Sequence, residues 1–131
     1  MAILDTSFII DYLWDIPSAI SAFEQLENRN EVLRTTSINV YELVKGAEMS
    51  KSYERDISEI NTLLKKVEIL DFSDENARTA AKIFSELSRE GKMVDDFDVM
   101  VAAVCLHVKD KIVTNNERDY QKIKGLEVET Y

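Results

Sequence analysis

The residues in this sequence that could do chemistry together are acids: Asp5, Glu42, Asp96 and Asp98, with Asp119 further on. Asp5 closes a short apolar run, Ala2-Ile-Leu4, and is followed by Thr6-Ser7 and a hydrophobic segment at helical spacing. That order reads as a strand, a turn bearing a carboxylate, and a helix. Glu42 falls in the first turns of a later helix, and Asp96-Phe97-Asp98 opens an apolar one. Thr114-Asn115-Asn116 follows a further short strand. Carboxylates brought together repel by roughly 4 kcal/mol per pair at 4 Å and an effective dielectric near 20. A divalent cation removes that repulsion, and hard oxygen ligands select Mg²⁺, with Mn²⁺ as a substitute. Such an ion activates water for attack on a phosphodiester. Competing chemistries lack their residues. One cysteine and one histidine make no zinc cluster and no Ser-His-Asp set, and no glycine-rich phosphate loop is present.

The elements that must position these acids alternate between strand and helix. A first strand at Ala2–Leu4 leads to a helix over about 7–14, and Pro17-Ser18 starts a second helix that Asn28-Arg29-Asn30 ends. Residues 31–36 read as a strand, and Ser37 as the cap of a helix with Val40, Leu43, Val44 and Ala47 inward. The 4-3-4 spacing of Tyr53, Ile57, Ile60 and Leu64 predicts an amphipathic helix over about 52–66, and residues 67–70 a third strand. Ser73 caps the next helix, whose inward stripe reads as Ala77, Ala80, Ala81, Phe84 and Leu87. Gly91 breaks it, and a helix apolar on all sides follows from Val99 to Val108. Residues 111–114 make a fourth strand, 117–122 a helical turn and 126–130 an edge strand. The fold class is α/β, a mostly parallel four- to five-stranded sheet covered on both faces. Asp5 then lies at the carboxyl end of strand one. Glu42 lies on the helix after strand two, Asp96 and Asp98 at the start of the helix that feeds strand four, and Asn116 just past strand four. All converge on one sheet edge, where ligands gather in open α/β folds.

At 131 residues, 45% hydrophobic and 31% charged, the chain is expected to form one domain over residues 1–131. The longest apolar run, Val99 to Leu106, is too short to span a bilayer, and Met1-Ala-Ile-Leu4 lacks the features of a signal peptide. The single Cys105 reads as a buried small hydrophobe, which fits a reduced, cytoplasmic setting. A net charge of −9 argues against nucleic-acid binding through an extended basic face and favours a basic protein partner. It leaves room for a nuclease whose metal meets the phosphate.

The motifs resemble one family. Leu4-Asp5-Thr6-Ser7, Thr36-Ser37-Ile-Asn-Val-Tyr-Glu42-Leu43, Asp96-Phe-Asp98-Val-Met-Val-Ala102-Ala103, Ile112-Val-Thr114-Asn-Asn116, Tyr120 and Gly125-Leu126 are similar, in order and along essentially the whole chain, to PIN-domain ribonucleases, most closely the VapC toxins of toxin–antitoxin pairs. The resemblance implies a PIN-like three-layer α/β/α fold and an acidic triad of Asp5, Glu42 and Asp98 around Mg²⁺, with Asp5 and Asp98 as direct ligands. Glu42, Asp96 and Asn116 are further metal candidates, and Ser7, Thr114, Asn116 and Asp119 supporting ones. Asn116 stands where the family often has a fourth acid, which argues against a second tightly held metal. The resemblance also implies an RNA substrate, a cognate VapB-like antitoxin and a homodimer.

Blander roles stand beside these. Asp5 and Asp98 could simply serve helix N-termini, and Glu42 a solvated face. Asp96 reads as a capping or supporting residue, Asp11 and Asp95 as solvated, Asp119 as a brace for the strand-four loop, and His107 as packed or capping. Lys45, Lys92 and Arg118 are candidate phosphate contacts. Phe8, Tyr12, Leu13 and Trp14 read as core or a self-association face. Two other functions remain: an inactive PIN scaffold that binds RNA or protein, supported by Asn116, and a receiver-type phospho-acceptor domain with Asp71 at the end of strand three.

Overall fold

The computed structural model describes every residue from Met1 to Tyr131. Five strands and seven helices alternate along it: β1 (Ala2–Leu4), α1 (Thr6–Leu13), α2 (Pro17–Asn28), β2 (Leu33–Thr36), α3 (Ser37–Glu48), α4 (Tyr53–Leu64), β3 (Glu68–Leu70), α5 (Asp74–Arg89), α6 (Asp96–Val108), β4 (Lys111–Val113), α7 (Glu117–Tyr120) and β5 (Val128–Glu129). The sheet order is β3-β2-β1-β4-β5 and every pair is parallel. Ile3 stands opposite Arg34 on one side and Ile112 on the other.

Alternation along the central strands creates the three layers. Ala2, Leu4 and Val113 point to one face and join Phe8, Phe23, Leu26, Leu43 and Ile60 in a first core. Ile3 and Ile112 point to the opposite face and join Ala80, Leu87, Val99, Ala102 and Tyr120 in a second. Helices α1 to α4 cover the first face, and α5 and α6 the second. A strand buried on both faces can be apolar throughout, as Ala2–Leu4 is. The chain leaves β1 toward β2 and later returns to its other side as β4, so the connections reverse at β1. Asp5 therefore follows the strand at the topological switch point.

Buried charges at the two ends of the sheet are treated differently. Near the start of β4, buried Asp110 pairs with Arg34 at 3.0 Å, and Lys111 pairs with Glu31 at 2.8 Å. The acids at the carboxyl edge have no such cation.

Several local expectations change. Thr36, not Ser37, caps α3, because β2 runs into the helix without a loop: its hydroxyl accepts from the Asn39 amide at 3.2 Å, and the Asn39 side chain accepts from the Thr36 amide at 3.2 Å. Ser37 instead accepts from the Phe72 amide at 3.1 Å, tying the start of α3 to the segment after β3. Ser73 does cap α5, and Gly91, at φ +69°, takes up the left-handed turn just past its end. The inward stripe of α5 is Asn76, Ala80, Ile83 and Leu87, so Ala77, Ala81 and Phe84 face outward, Phe84 with half its surface exposed. Inward Asn76 has its side chain in the cap, where an apolar stripe cannot reveal it. In α4 the buried pair is Ile60 and Leu63, and Tyr53 lies outside. Asp95 is a helix cap, its carboxylate accepting from the Phe97 amide at 2.9 Å. His107 is neither packed nor a cap: it lies at the surface with Nδ1 3.6 Å from Glu75. Cys105 is fully buried, and burial pushes its thiol up. Phe8 is core, Tyr12 stacks on Phe23 at 4.4 Å, and Trp14 is 78% exposed. No helix is long and apolar enough to cross a membrane.

The outward turn of Phe84 gives a direct stability comparison. Leu87→Ala should cost about 2–5 kcal/mol in urea denaturation, whereas Phe84→Ser should stay within about 0.5 kcal/mol of the parent. Equal losses would place Phe84 in the core.

Candidate active site

Asp5 occupies the N-cap position of α1, yet its side chain makes no capping hydrogen bond. It is turned away from its own helix and held by other elements. One oxygen, Oδ1, accepts from Asn39 Nδ2 at 3.2 Å and from the Tyr120 hydroxyl at 3.1 Å. The other, Oδ2, accepts from Thr114 Oγ1 at 2.7 Å and Ser7 Oγ at 3.3 Å. Four donors match the roughly four acceptor sites of an ionised carboxylate. All four are neutral. At 5% exposure with no cationic partner, burial still pushes the Asp5 carboxyl above its ordinary range, against the pull of the Thr114, Tyr120 and Ser7 hydroxyls.

Asp98 reaches the same place from the first turn of α6. Its Oδ1 lies 3.2 Å from the Tyr120 hydroxyl, and Oδ2 accepts from Asn116 Nδ2 at 3.0 Å. Burial pushes its carboxyl up to about 7, and the nearby Asp5 adds to that. The two carboxylates thus meet at one phenol, which puts the bonded oxygens within about 6 Å of each other. A phenol has one proton, so it can donate fully to only one of them. Tyr120 itself keeps its proton, since burial and the two acids push its phenol far up.

Glu42 stands half-buried on α3, accepting from Thr6 Oγ1 at 2.8 Å, and burial raises its carboxyl too. Asn39 links it to the pair, because Asn39 Nδ2 also donates to Thr6 Oγ1 at 3.0 Å. Asp5, Glu42 and Asp98 are therefore parts of one network spanning α1, α3, α6, the turn after β4 and α7.

The supporting candidates divide. Ser7 and Thr114 touch Asp5, and Asn116 touches Asp98 while its amide N–H donates to Thr114 Oγ1 at 2.9 Å. Asp96 is exposed at the start of α6, beside the actual cap, Asp95. Asp119 turns away and pairs with Lys122 at 3.2 Å, so it braces its own helical turn and not the strand-four loop. That loop is held by Asp11, expected to be solvated: it accepts from Asn115 Nδ2 at 3.2 Å and from the Tyr131 hydroxyl at 2.6 Å. The residues that a search for acids overlooks are Asn39 and Thr6, together with the part that Tyr120 plays. The one available signal for Asn39 was its place three residues after Thr36, at the N3 position of a capping box.

The donor set fits a small hard cation. No three His, Cys, Asp or Glu side chains form a preassembled metal cluster. Mg²⁺ does not need one, since it binds through one or two carboxylates and keeps several waters. Asp5 and Asp98 are that pair, with the Asn116 amide beside them. An acid pair with one member buried and the other half-buried, served only by neutral donors, lacks the positive charge a divalent ion would bring.

Comparison with known proteins agrees with this reading of the fold. The PIN domain family model matches residues 2–126. The chain is 33% identical to a Haemophilus influenzae protein named ribonuclease VapC2, and 30% identical to a Shigella flexneri protein named tRNA(fMet)-specific endonuclease VapC; each alignment covers 98% of this chain and 96% of the relative. The structure of VapBC2 from Rickettsia felis, bound to a DNA fragment from its promoter, contains a chain that superposes with a TM-score of 0.91 at 25% identity, over 99% of this chain and 98% of that one. The three-layer α/β/α architecture is that of a PIN domain. The chain belongs to the PIN-domain family and, within it, to the VapC ribonucleases.

The raised Asp98 carboxyl has a consequence for stability without metal. A group whose folded pKa lies above its unfolded value stabilises the fold fully below the unfolded pKa, near 3.8, and loses that contribution as pH rises through about 7. In EDTA the melting temperature should fall between roughly pH 4 and pH 7. In Asp98→Asn the decline should be markedly shallower, since an amide does not titrate. Parallel curves for the two proteins would show that Asp98 is not the titrating group.

Proposed function

We propose that this chain is a Mg²⁺-dependent endoribonuclease, the toxic component of a type II toxin–antitoxin pair, folded as one domain over residues 1–131. The reading rests chiefly on buried Asp5 and half-buried Asp98, joined over Tyr120 with no cationic side chain bonded to either. In this reading Asp5 and Asp98 hold the metal, and Asn39, Thr114, Ser7 and Tyr120 fix Asp5 in place. A bound Mg²⁺ would supply an activated water and offset the charge that develops on the phosphate and leaving oxygen. Glu42, with its carboxyl raised by burial, is suited to take a proton from the attacking water, and Thr6 orients it. Asn116 directs an amide rather than a charge at Asp98, which supports one firmly held ion rather than two.

The partner in this reading is a VapB-like antitoxin. A cleft lined by Ile10, Leu13, Trp14, Leu43 and Ile60 opens beside Glu42. An amphipathic segment could lie in it while a basic side chain enters the acid pocket. The net charge of −9 favours such a basic partner. A homodimer and a cytoplasmic location complete the proposal, the latter supported by the lone, fully buried Cys105. The receiver-type alternative lacks its geometry: Asp71 follows the edge strand β3, two strands and about 10 Å across the sheet from β1, and is exposed.

Cleavage of end-labelled RNA tests the function. The wild type should cut in Mg²⁺ or Mn²⁺ and stop in EDTA, and Asp5→Asn and Asp98→Asn should each lose at least about 100-fold. Equal cleavage by all three would remove the assignment. Divalent binding without any cleavage would favour the inactive-scaffold reading.

A further inference from the structure

Beside the acid pocket lies a group of side chains that takes no part in holding it. Tyr41 and Lys45 are one turn apart on α3, and Phe97 faces them from the start of α6. The two rings meet edge to face, with centroids 5.5 Å apart, and Lys45 Nζ lies 5.4 Å from the Tyr41 ring centre and 5.8 Å from that of Phe97. Tyr41 is 52% exposed, and Lys45 is exposed too. The position matters more than the exposure. Tyr41 immediately precedes Glu42 and Phe97 immediately precedes Asp98, so the group sits on the same two helix turns that supply the acids. Lys45 lies close enough to Glu42 to pull its carboxyl down, yet it forms no ion pair with it.

We propose that Tyr41, Phe97 and Lys45 form a nucleotide subsite, in which a base of the RNA strand next to the scissile phosphate stacks on Tyr41 while Lys45 meets the adjoining phosphate. The inference rests on the ribonuclease reading above. A chain with net charge −9 repels a polyanion over most of its surface, so it must gain substrate affinity at a few local contacts. Stacking supplies affinity independent of charge, and an aromatic ring beside a cation is the usual platform for a single-stranded base. The Lys45 amine, held over two ring faces, is positioned without being neutralised by a carboxylate.

Two measurements test it. In the first, RNA carrying 5-iodouridine is irradiated with the wild-type protein in EDTA, and the crosslinked residue is identified by mass spectrometry. Tyr41 or Phe97 is expected, and crosslinks confined to other residues would overturn the subsite. In the second, kcat and KM are measured in Mg²⁺. Tyr41→Ala should raise KM at least about fivefold with kcat within about twofold, and Tyr41→Phe should restore KM. On RNA with an abasic nucleotide next to the cleaved bond, wild type and Tyr41→Ala should have the same KM. An unchanged KM for Tyr41→Ala, in an enzyme that cleaves normally, would overturn the subsite and leave the ribonuclease reading intact. A wild type that cleaves no RNA in Mg²⁺ would overturn both.

Discussion

Two carboxylates meet over one phenolic proton, and the fold is arranged around that contact. Asp5 and Asp98 come from opposite halves of the sequence and from different layers of the fold, yet both contact the Tyr120 hydroxyl. Holding them there requires β1 to end at Asp5, α6 to start near Asp98, and the segment after β4 to turn Tyr120 back underneath. The contrast within the same sheet is informative. Buried Asp110 has Arg34 at 3.0 Å, so the fold is able to pair a buried acid with a cation. Around Asp5 and Asp98 it places only hydroxyls and amides. An arrangement that leaves buried negative charge uncompensated destabilises the fold, unless a cation from outside completes it.

The neutral shell also explains how the site stays in shape. Asn39 serves three purposes at once: it completes the cap of α3 with Thr36, donates to Asp5, and donates to the Thr6 hydroxyl that orients Glu42. Thr114 donates to Asp5 while accepting from the Asn116 amide, so the turn after β4 is fixed to the acid it serves. Asp11 and Tyr131 hold Asn115 in that same turn from the outside. Each acid is positioned through groups that are themselves held by secondary structure, which is what a site with a required geometry needs.

Much of this was legible in the sequence because it follows from periodicity and topology. Parallel strands alternating with helices place every β-to-α turn at one edge, and that alone gathered Asp5, Glu42, Asp98 and Asn116. What could not be read has physical causes. The inward face of α5 is ambiguous in sequence because alanines serve either a core or a surface, and Phe84 suggests a stripe on its own side although the inward row contains the capping Asn76. Asn39 shows in the sequence only as the N3 residue of a capping box, because a buried polar residue resembles a surface one in a pattern of hydrophobicity. Asp119 and Asp11 exchanged roles, since sequence distance along a turn does not say which carboxylate faces the loop. The binding partners of Asp5 are neutral hydroxyls and amides, common residues whose meaning appears only in three dimensions.

If one divalent ion completes the Asp5–Asp98 pair, calorimetric titration of Mn²⁺ into the metal-free protein at neutral pH will register it. The wild type should bind one ion per chain. Asp98→Asn should bind none at the same concentrations, and Asp119→Asn should bind like the wild type. An absence of binding to the wild type, or binding unchanged by the loss of Asp98, would mean that the pair does not hold a metal.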